Sequence, residues 1–418
     1  MIDQLPENRT MPDDIRVRAR QRLSEGMHPT ARNGRPILIA AGVCMLAAGT
    51  VFAGQALYGG ADVAAPPVQY NGEFVGKDRA VVNHVERGKV APDALARCTA
   101  AAKAHPPADQ WQPVATSRKN GTVLTAFQSP AGLFFCANTA TTTTVSEPTP
   151  VKIEDGRRKV KILFTTPSGA MAGLVSPDVK LLSLSRIADS GQNNTMPAIV
   201  DGLLLAPSGY LKAETGTKAL VNGEDFAVRG VPKPTSSVVD RPLPPAPRDT
   251  TETARFGACL KDRAIADADQ VALGLTAQVS ATDTMILGRS GDVLVYCRES
   301  DNDPTAGTAY DVDDLEDVRG TTIAAMAAFY DFKPFKVNDK GEYYDGGSSH
   351  YAAVGLVLDP RVASITYTRP GMADVPAMIG NGTFVLAAPL IDRHPDSRVV
   401  VRDGDGAVLE TIKPKDVP

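Results

Sequence analysis

The chain has 418 residues, a formal net charge of −4, 43% apolar residues and 6% aromatics with a single Trp. That apolar content supports real cores across about two or three domains, and the absence of a basic excess excludes the electrostatic footprint of a nucleic-acid binder. Gly 36 and Pro 32 imply many turns and linkers.

Residues 1–35 form an arginine-rich tail. Pro12-Asp13-Asp14 is an acidic helix start before Ile15–Leu23, where Ile15, Ala19 and Leu23 share one face. One reading is a docking helix for a cytosolic partner or for anionic lipid; the other is a topology signal with a frayed helix. A three-residue stripe is narrow, which favours the topology signal. Next comes Ile37–Leu57, 21 residues without a charge. As a helix it reaches about 31 Å, enough to cross a bilayer core, so residues 36–57 are expected to be a transmembrane helix. Arg16, Arg18, Arg20, Arg22, Arg32 and Arg35 precede it, and Asp62 and Glu73 follow it. Positive charge stays inside, which predicts a cell-membrane protein with a cytoplasmic N-terminus and an extracytoplasmic bulk. The competing reading is a signal peptide cleaved near Val51-Phe52-Ala53, although an n-region of 36 residues is long for one. Cys44 falls in mid-span as a membrane-buried thiol. Residues 58–85, with Gly59-Gly60 and Pro66-Pro67, read as a flexible spacer.

The remaining four cysteines organise the rest of the chain. Cys98 to Cys136 is 38 positions, and so is Cys259 to Cys297. Each pair begins in a helix-like run, Ala91–Lys103 or Thr251–Lys261, and ends in a strand-like run, Gly132–Cys136 or Asp292–Cys297. Further on, Ala172–Pro177 matches Val354–Pro360, and Met196–Gly202 matches Val375–Gly382. Apolar strands then end at Ala206-Pro207 and Ala388-Pro389. Several features recurring in the same order predict an internal repeat. Repeat 1 covers 86–230, a Pro-rich linker covers 231–250, and repeat 2 covers 251–418. In repeat 1, Asn120-Gly121 marks a hairpin between Pro113–Ser117 and Thr122–Phe127. Val151–Ile153 and Lys159–Phe164 are expected to pair, followed by Val179–Ser185, Ala198–Leu205 and Ala219–Val228. Thr141–Thr144 reads as an edge or loop. The linker prolines favour extended polyproline-like backbone and exclude a helix or a central strand.

The copies differ between Cys297 and Gly355, where repeat 2 is 21 residues longer than the matching stretch from Cys136 to Gly173. This acidic and aromatic insertion, near 299–350, holds Glu299, Asp301, Asp303, Asp311, Asp313, Asp314, Glu316 and Asp317. It also holds a helix-like Thr321–Tyr330 and the aromatics Phe329, Tyr330, Phe332, Phe335, Tyr343 and Tyr344. An insertion in a repeated scaffold is where binding tends to sit, so these six aromatics are the candidate partner surface. The acidic run admits two readings, a calcium site and a solvated loop. It lacks the loop spacing of a dedicated calcium site, and no metal is expected.

Catalytic patterns are thin. His28, His84, His105, His350 and His394 include no pair at i, i+4 and no H-E-x-x-H. There is no G-x-S-x-G, no P-loop and no C-x-x-C. Ser348-Ser349-His350 places adjacent side chains on opposite faces of an extended chain, which is not a nucleophile–base pair. No catalytic residue and no cofactor are assigned.

Asp14-Ile15-Arg16-Val17-Arg18-Ala19-Arg20, one apolar span and Gly173-Leu174-Val175-Ser176-Pro177-Asp178-Val179 resemble actinobacterial single-pass membrane proteins with β-rich extracytoplasmic domains. That largely uncharacterised group includes members encoded beside extracytoplasmic-function sigma factors, and the resemblance implies an association with signalling. The 35-residue tail lacks the cysteine and histidine pattern of a zinc anti-sigma domain. The expected fold is therefore α+β: one N-terminal transmembrane helix followed by two duplicated, mainly antiparallel β domains, each with a cysteine-bearing N-terminal helix. The expected role is membrane-anchored extracytoplasmic binding or sensing without catalysis. The alternatives are a hydrolase-like extracytoplasmic enzyme and a cell-envelope spacer. Besides the membrane, the expected partner is a protein outside the cell or at the cytoplasmic tail.

Four extracytoplasmic cysteines allow three pairings, and the duplication selects Cys98–Cys136 and Cys259–Cys297 over the others and over four free thiols. Each bond closes a loop of about 39 residues, a constraint of roughly 4 kcal/mol on the unfolded chain. Peptide mapping of the unreduced protein is expected to yield these two linked pairs. A peptide joining Cys98 or Cys136 to Cys259 or Cys297 would refute the assignment.

Overall fold

Two-residue turns set the rhythm of the strands. Asp201-Gly202 (φ 50° and 77°) and Asn381-Gly382 (φ 41° and 75°) occupy the left-handed region at both central positions, as a type I′ hairpin requires. The structure, a computed structural model, describes residues 84–415 except 151–158, 180–181, 187–193, 209–216, 222–223, 262, 301–307, 331–335, 338–342, 345–349 and 388–393. The first half runs β1 (His84–Arg87), α1 (Pro92–Ala101), β2 (Gln112–Lys119), β3 (Thr122–Ser129), β4 (Gly132–Asn138), β5 (Thr142–Val145), β6 (Val160–Thr165), β7 (Met171–Val175), β8 (Leu182–Arg186), β9 (Asn194–Thr195), β10 (Ala198–Val200), β11 (Leu203–Ala206), β12 (Thr217–Val221) and β13 (Glu224–Val228). A short strand, β14 (Val238–Val239), lies between the halves. The second half runs α2 (Thr251–Leu260), β15 (Ala272–Gln278), β16 (Asp283–Ser290), β17 (Val293–Ser300), β18 (Thr308–Asp311), β19 (Val318–Arg319), β20 (Ile323–Tyr330), β21 (Lys336–Val337), β22 (Tyr343–Tyr344), β23 (His350–Val357), β24 (Ser364–Thr368), β25 (Val375–Pro376), β26 (Met378–Gly380), β27 (Thr383–Leu386), β28 (Arg398–Arg402) and β29 (Val408–Ile412).

Each half stacks one helix and three antiparallel sheets. In the first half the sheets have the orders β1-β2-β3-β4-β5-β14, β10-β11-β7-β6 and β13-β12-β8-β9. In the second half they are β15-β16-β17-β18, β19-β20-β23-β27-β26 and β25-β24-β28-β29, with β21-β22 as a separate pair. Apolar side chains fill every gap between layers. Cys98, Trp111, Phe127, Phe134 and Cys136 pack α1 on the first sheet. Leu124, Phe135, Phe164, Leu174 and Leu205 join the first sheet to the middle one. Met171, Leu182, Leu184, Leu204 and Val221 join the middle sheet to the third. In the second half Phe256 and Val295, then Leu287 and Val354, then Tyr367 and Phe384, stand in the corresponding gaps. The middle sheets are thus covered on both faces. All five residues of β7 and all four of β11 and β27 are buried. Such strands read as continuous apolar runs, because neither pleat meets water.

These findings correct the expected α+β fold. The described residues are mostly β-sheet, with two α-helices of ten residues each. Ten residues rise only about 15 Å, half of a bilayer core. No described helix is long and apolar enough to cross a membrane, and the tail and Ile37–Leu57 lie outside the described residues. Thr321–Tyr330 is not helical: Ile323–Tyr330 is a strand of the middle sheet, paired with β23 along its whole length. Its alanines have high helix propensity, but here they are the small residues that let one sheet pass between two others, and tertiary packing overrides propensity. Strand β6 pairs with β7, while Val151–Ile153 lies outside the described residues. Thr142–Val145 is not an edge, because β14 covers it.

Gly173 and Gly355 sit at matching places in the two middle sheets. A Cβ on Gly355 would stand 2.2 Å from Ala324 O and 2.6 Å from Ala325 Cβ. A Cβ on Gly173 would stand 2.0 Å from Lys161 O. Gly355→Ala is therefore expected to cost ~1–3 kcal/mol by overpacking, read from the urea midpoint. Gly404→Ala, where a Cβ meets nothing within 4 Å, is the control and is expected to stay within about 0.5 kcal/mol of the parent.

Candidate binding surface

The helices bring both cysteine pairs together at the outer layer. Cys98 of α1 bonds Cys136 of β4 with Cα atoms 6.0 Å apart, and Cys259 of α2 bonds Cys297 of β17 at 6.5 Å. Cys98, Cys136 and Cys297 are fully buried. Asn138 Nδ2 donates to Cys98 Sγ at 3.2 Å. These are staples of the scaffold, with no open thiol chemistry.

The acidic run is consumed by specific partners. Glu299 pairs with Arg255 of α2. Asp311 accepts from the amides of Asn120 at 2.6 Å and Gly121 at 3.2 Å, and Asn120 Oδ1 accepts from the Asp311 amide at 3.1 Å. Asp314 lies 3.6 Å from Lys119, Asp313 lies 3.6 Å from Arg319, and Glu316 lies 2.6 Å from Lys415. Asp317 accepts from the Ala327 amide at 2.7 Å. Asp301 and Asp303 lie outside the described residues. Among the described residues no three acids, histidines or cysteines gather as a metal site. Two of the described acids, Asp311 and Asp314, reach across to the first half, at the Asn120–Gly121 turn and at Lys119. Burial, aided by the charge of Asp314, raises the Asp311 pKa despite the two amides.

A second clasp lies at the same end of the first sheet, where Val123 pairs with Asn138. Asp267 accepts from Thr139 Oγ1 at 2.8 Å, Thr141 Oγ1 at 2.5 Å and the Thr141 amide at 3.2 Å. Arg97, buried on α1, holds Asp240 of the linker at 2.6 and 2.8 Å and donates to Thr139 O at 2.7 Å. Burial raises the Asp240 pKa, but the hydrogen bonds and charge of Arg97 outweigh it and hold the carboxyl below its usual value.

Fourteen of the 21 extra residues of the second half fall at one connection. Between β6 and β7 the turn is 166–170, five residues; between β20 and β23 it is 331–349, nineteen residues. The described part of this extension is the β21–β22 pair, with Lys336 opposite Tyr344 and Val337 opposite Tyr343. Of the six candidate aromatics, Tyr330 is the one whose surroundings the described residues define. Tyr330 is buried, 7% exposed, in the core between the first two sheets of its half. Phe329 takes its place in β20 opposite Tyr351. Phe332 and Phe335 lie outside the described residues. Only Tyr343 and Tyr344 are placed on the extension.

Two polar features escaped the sequence. The first is Arg97, an arginine on an apolar helix next to a cysteine, which signals a buried acid partner without saying which one. The second is Asp283 and Arg298, 3.4 Å apart with side chains 0% and 7% exposed. Thr282 Oγ1 adds a hydrogen bond to Asp283 at 3.1 Å. Neighbouring Tyr296 has its hydroxyl pKa raised by burial. The matching residues of the first half, by register about the disulfides, are Thr122 and Ala137, so the ion pair belongs to the half with the extension.

His350 begins β23 opposite Tyr330, His105 holds Ser146 O at 2.8 Å, and His394 lies 3.9 Å from Asp396. Comparison with protein-family models, curated proteins and solved structures finds no match.

Removing one member of the buried pair strands a charge. Asp283→Ala is expected to cost ~3–5 kcal/mol in guanidinium unfolding. Asp283→Ala combined with Arg298→Met is expected to recover most of that loss. A double variant no more stable than the single one would show that the pair acts through other contacts.

Proposed function

We propose that this chain is an extracytoplasmic binding or sensing protein, held at the membrane by its N-terminal apolar segment, that engages a protein partner through the extension between β20 and β23. One observation carries the reading. Two halves with the same succession of helix and sheets differ mainly where a five-residue turn is replaced by a nineteen-residue connection. Connections on a rigid frame are where recognition is carried. Tyr343 and Tyr344 supply large side chains of the kind that dominate interface energetics. The disulfides suit an oxidising compartment, which agrees with the extracytoplasmic placement.

The test uses the molecule's own alternative. Residues 331–349 are replaced by Thr-Pro-Ser-Gly-Ala, the sequence of 166–170. The replaced chain is expected to keep its melting temperature within about 4 °C, since a change of that size reflects roughly 1 kcal/mol or more. Its retention on cell-envelope preparations from its host is expected to fall at least about tenfold, equivalent to ~1.4 kcal/mol. Equal retention by the two chains would sink the proposal.

A further inference from the structure

Residues 241–248 read Arg-Pro-Leu-Pro-Pro-Ala-Pro-Arg. Four prolines fix their own φ near −65°, and each residue before a proline is pushed out of the helical region. Arg241, Leu243, Pro244 and Ala246 all precede prolines, so every position from 241 to 247 is constrained toward polyproline II. That helix has three residues per turn. Arg241, Pro244 and Pro247 therefore share one edge, Pro242, Pro245 and Arg248 a second, and Leu243 and Ala246 the third.

The third edge is the one tied to the protein. The Ala246 amide donates to Asp269 O at 2.8 Å, and Leu243 O accepts from Gln270 Nε2 at 3.3 Å. Pro242, Pro244, Pro245 and Pro247 are exposed, and even Leu243 is 54% exposed. Both ends are pinned. At one end the amides of Asp240 and Arg241 donate to Thr141 O at 3.2 Å, and Arg97 grips Asp240. At the other, Arg248 donates to Val271 O at 2.7 Å and lies 5.4 Å from the Phe256 ring centre. A plain spacer needs none of this: the segment is held straight with its proline edges turned to solvent.

We infer that Arg241–Pro247 is a preformed polyproline-II ligand for a partner domain presenting an aromatic-lined groove with a carboxylate at one end. Proline-rich segments dock such grooves because the ligand has little conformational entropy left to lose. The two pinned ends remove more of it. Arg241, at one end of the Pro244–Pro247 edge, gives the ligand a direction. Its present ion pair with Asp93 is half exposed on both sides, a kind of pair worth little, so the guanidinium is exchangeable for a partner's carboxylate. This site is separate from the extension at 331–349.

The probe is a purified SH3-type domain that takes Arg-x-x-Pro-x-x-Pro ligands, titrated calorimetrically into the full chain. Saturable binding is expected. Pro244→Ala/Pro247→Ala is expected to weaken it at least tenfold with an unchanged melting temperature. A free peptide of residues 239–249 is expected to displace the chain and to bind more weakly than the chain does, a readout independent of how the variant folds. The chain with 331–349 replaced is expected to bind the probe like the parent, which separates this inference from the role of the extension. No saturable binding, full binding by the double variant, or failure of the peptide to compete would each overturn it.

Discussion

A sheet covered on both faces is the constraint on which each half depends. Strands β7, β11 and β27 have no solvent side, so both pleats must be apolar and the neighbouring sheets must fit at about 10 Å on either face. Where β20 and β23 run side by side, Ala324, Ala325, Ala328, Ala352 and Ala353 are buried and Gly355 makes the closest approach. Larger residues there would prise the layers apart. The scarcity of aromatics follows from that geometry: the large rings stand between layers, as Phe135 and Phe164 do with centroids 6.0 Å apart. The disulfides then fix the outermost layer, a helix too short to hold itself in place.

The halves are joined by carboxylates seated on turns rather than by apolar contact alone. Asp311 holds the Asn120–Gly121 turn, and Asp267 holds the Thr139–Thr141 loop. The linkage of Asp311 to pH differs from that of Glu410. Burial raises Glu410, but hydrogen bonds from Thr321 and Thr322 outweigh it and lower its pKa on balance. Its contribution is present above its unfolded pKa and is lost as pH falls through the folded value. Asp311 has a raised value. Its contribution is full below the unfolded pKa and fades as pH rises through the folded one. Mild acid therefore favours the joint while strong acid loosens the turn that Glu410 caps.

The segment between the halves is bonded to both of them. It adds β14 to the first sheet, passes under Arg97, and ends where Thr250 caps α2 by accepting from the Thr253 amide at 3.2 Å. The two surfaces assigned to recognition, the β20–β23 extension and the proline edge, both lie on connections of a rigid frame.

Much of this was legible in local sequence. The Asn120-Gly121 turn and the apolar strand ending at Ala206 depend on neighbours a few residues apart, where turn chemistry and pleat period act directly, and the disulfides were read from the equal spacing of the cysteines. Tertiary structure decided the rest. Ile323–Tyr330 is a strand because two sheets enclose it, a fact no window of ten residues contains. Tyr330 went to the core for the same reason, and the described acids of the run found bases and amides as partners. Arg97 meets Asp240 across 143 positions and Asp311 meets Asn120 across 191. Pairings at that distance are fixed by how the layers stack, and stacking depends on which faces are left uncovered when every strand is in place.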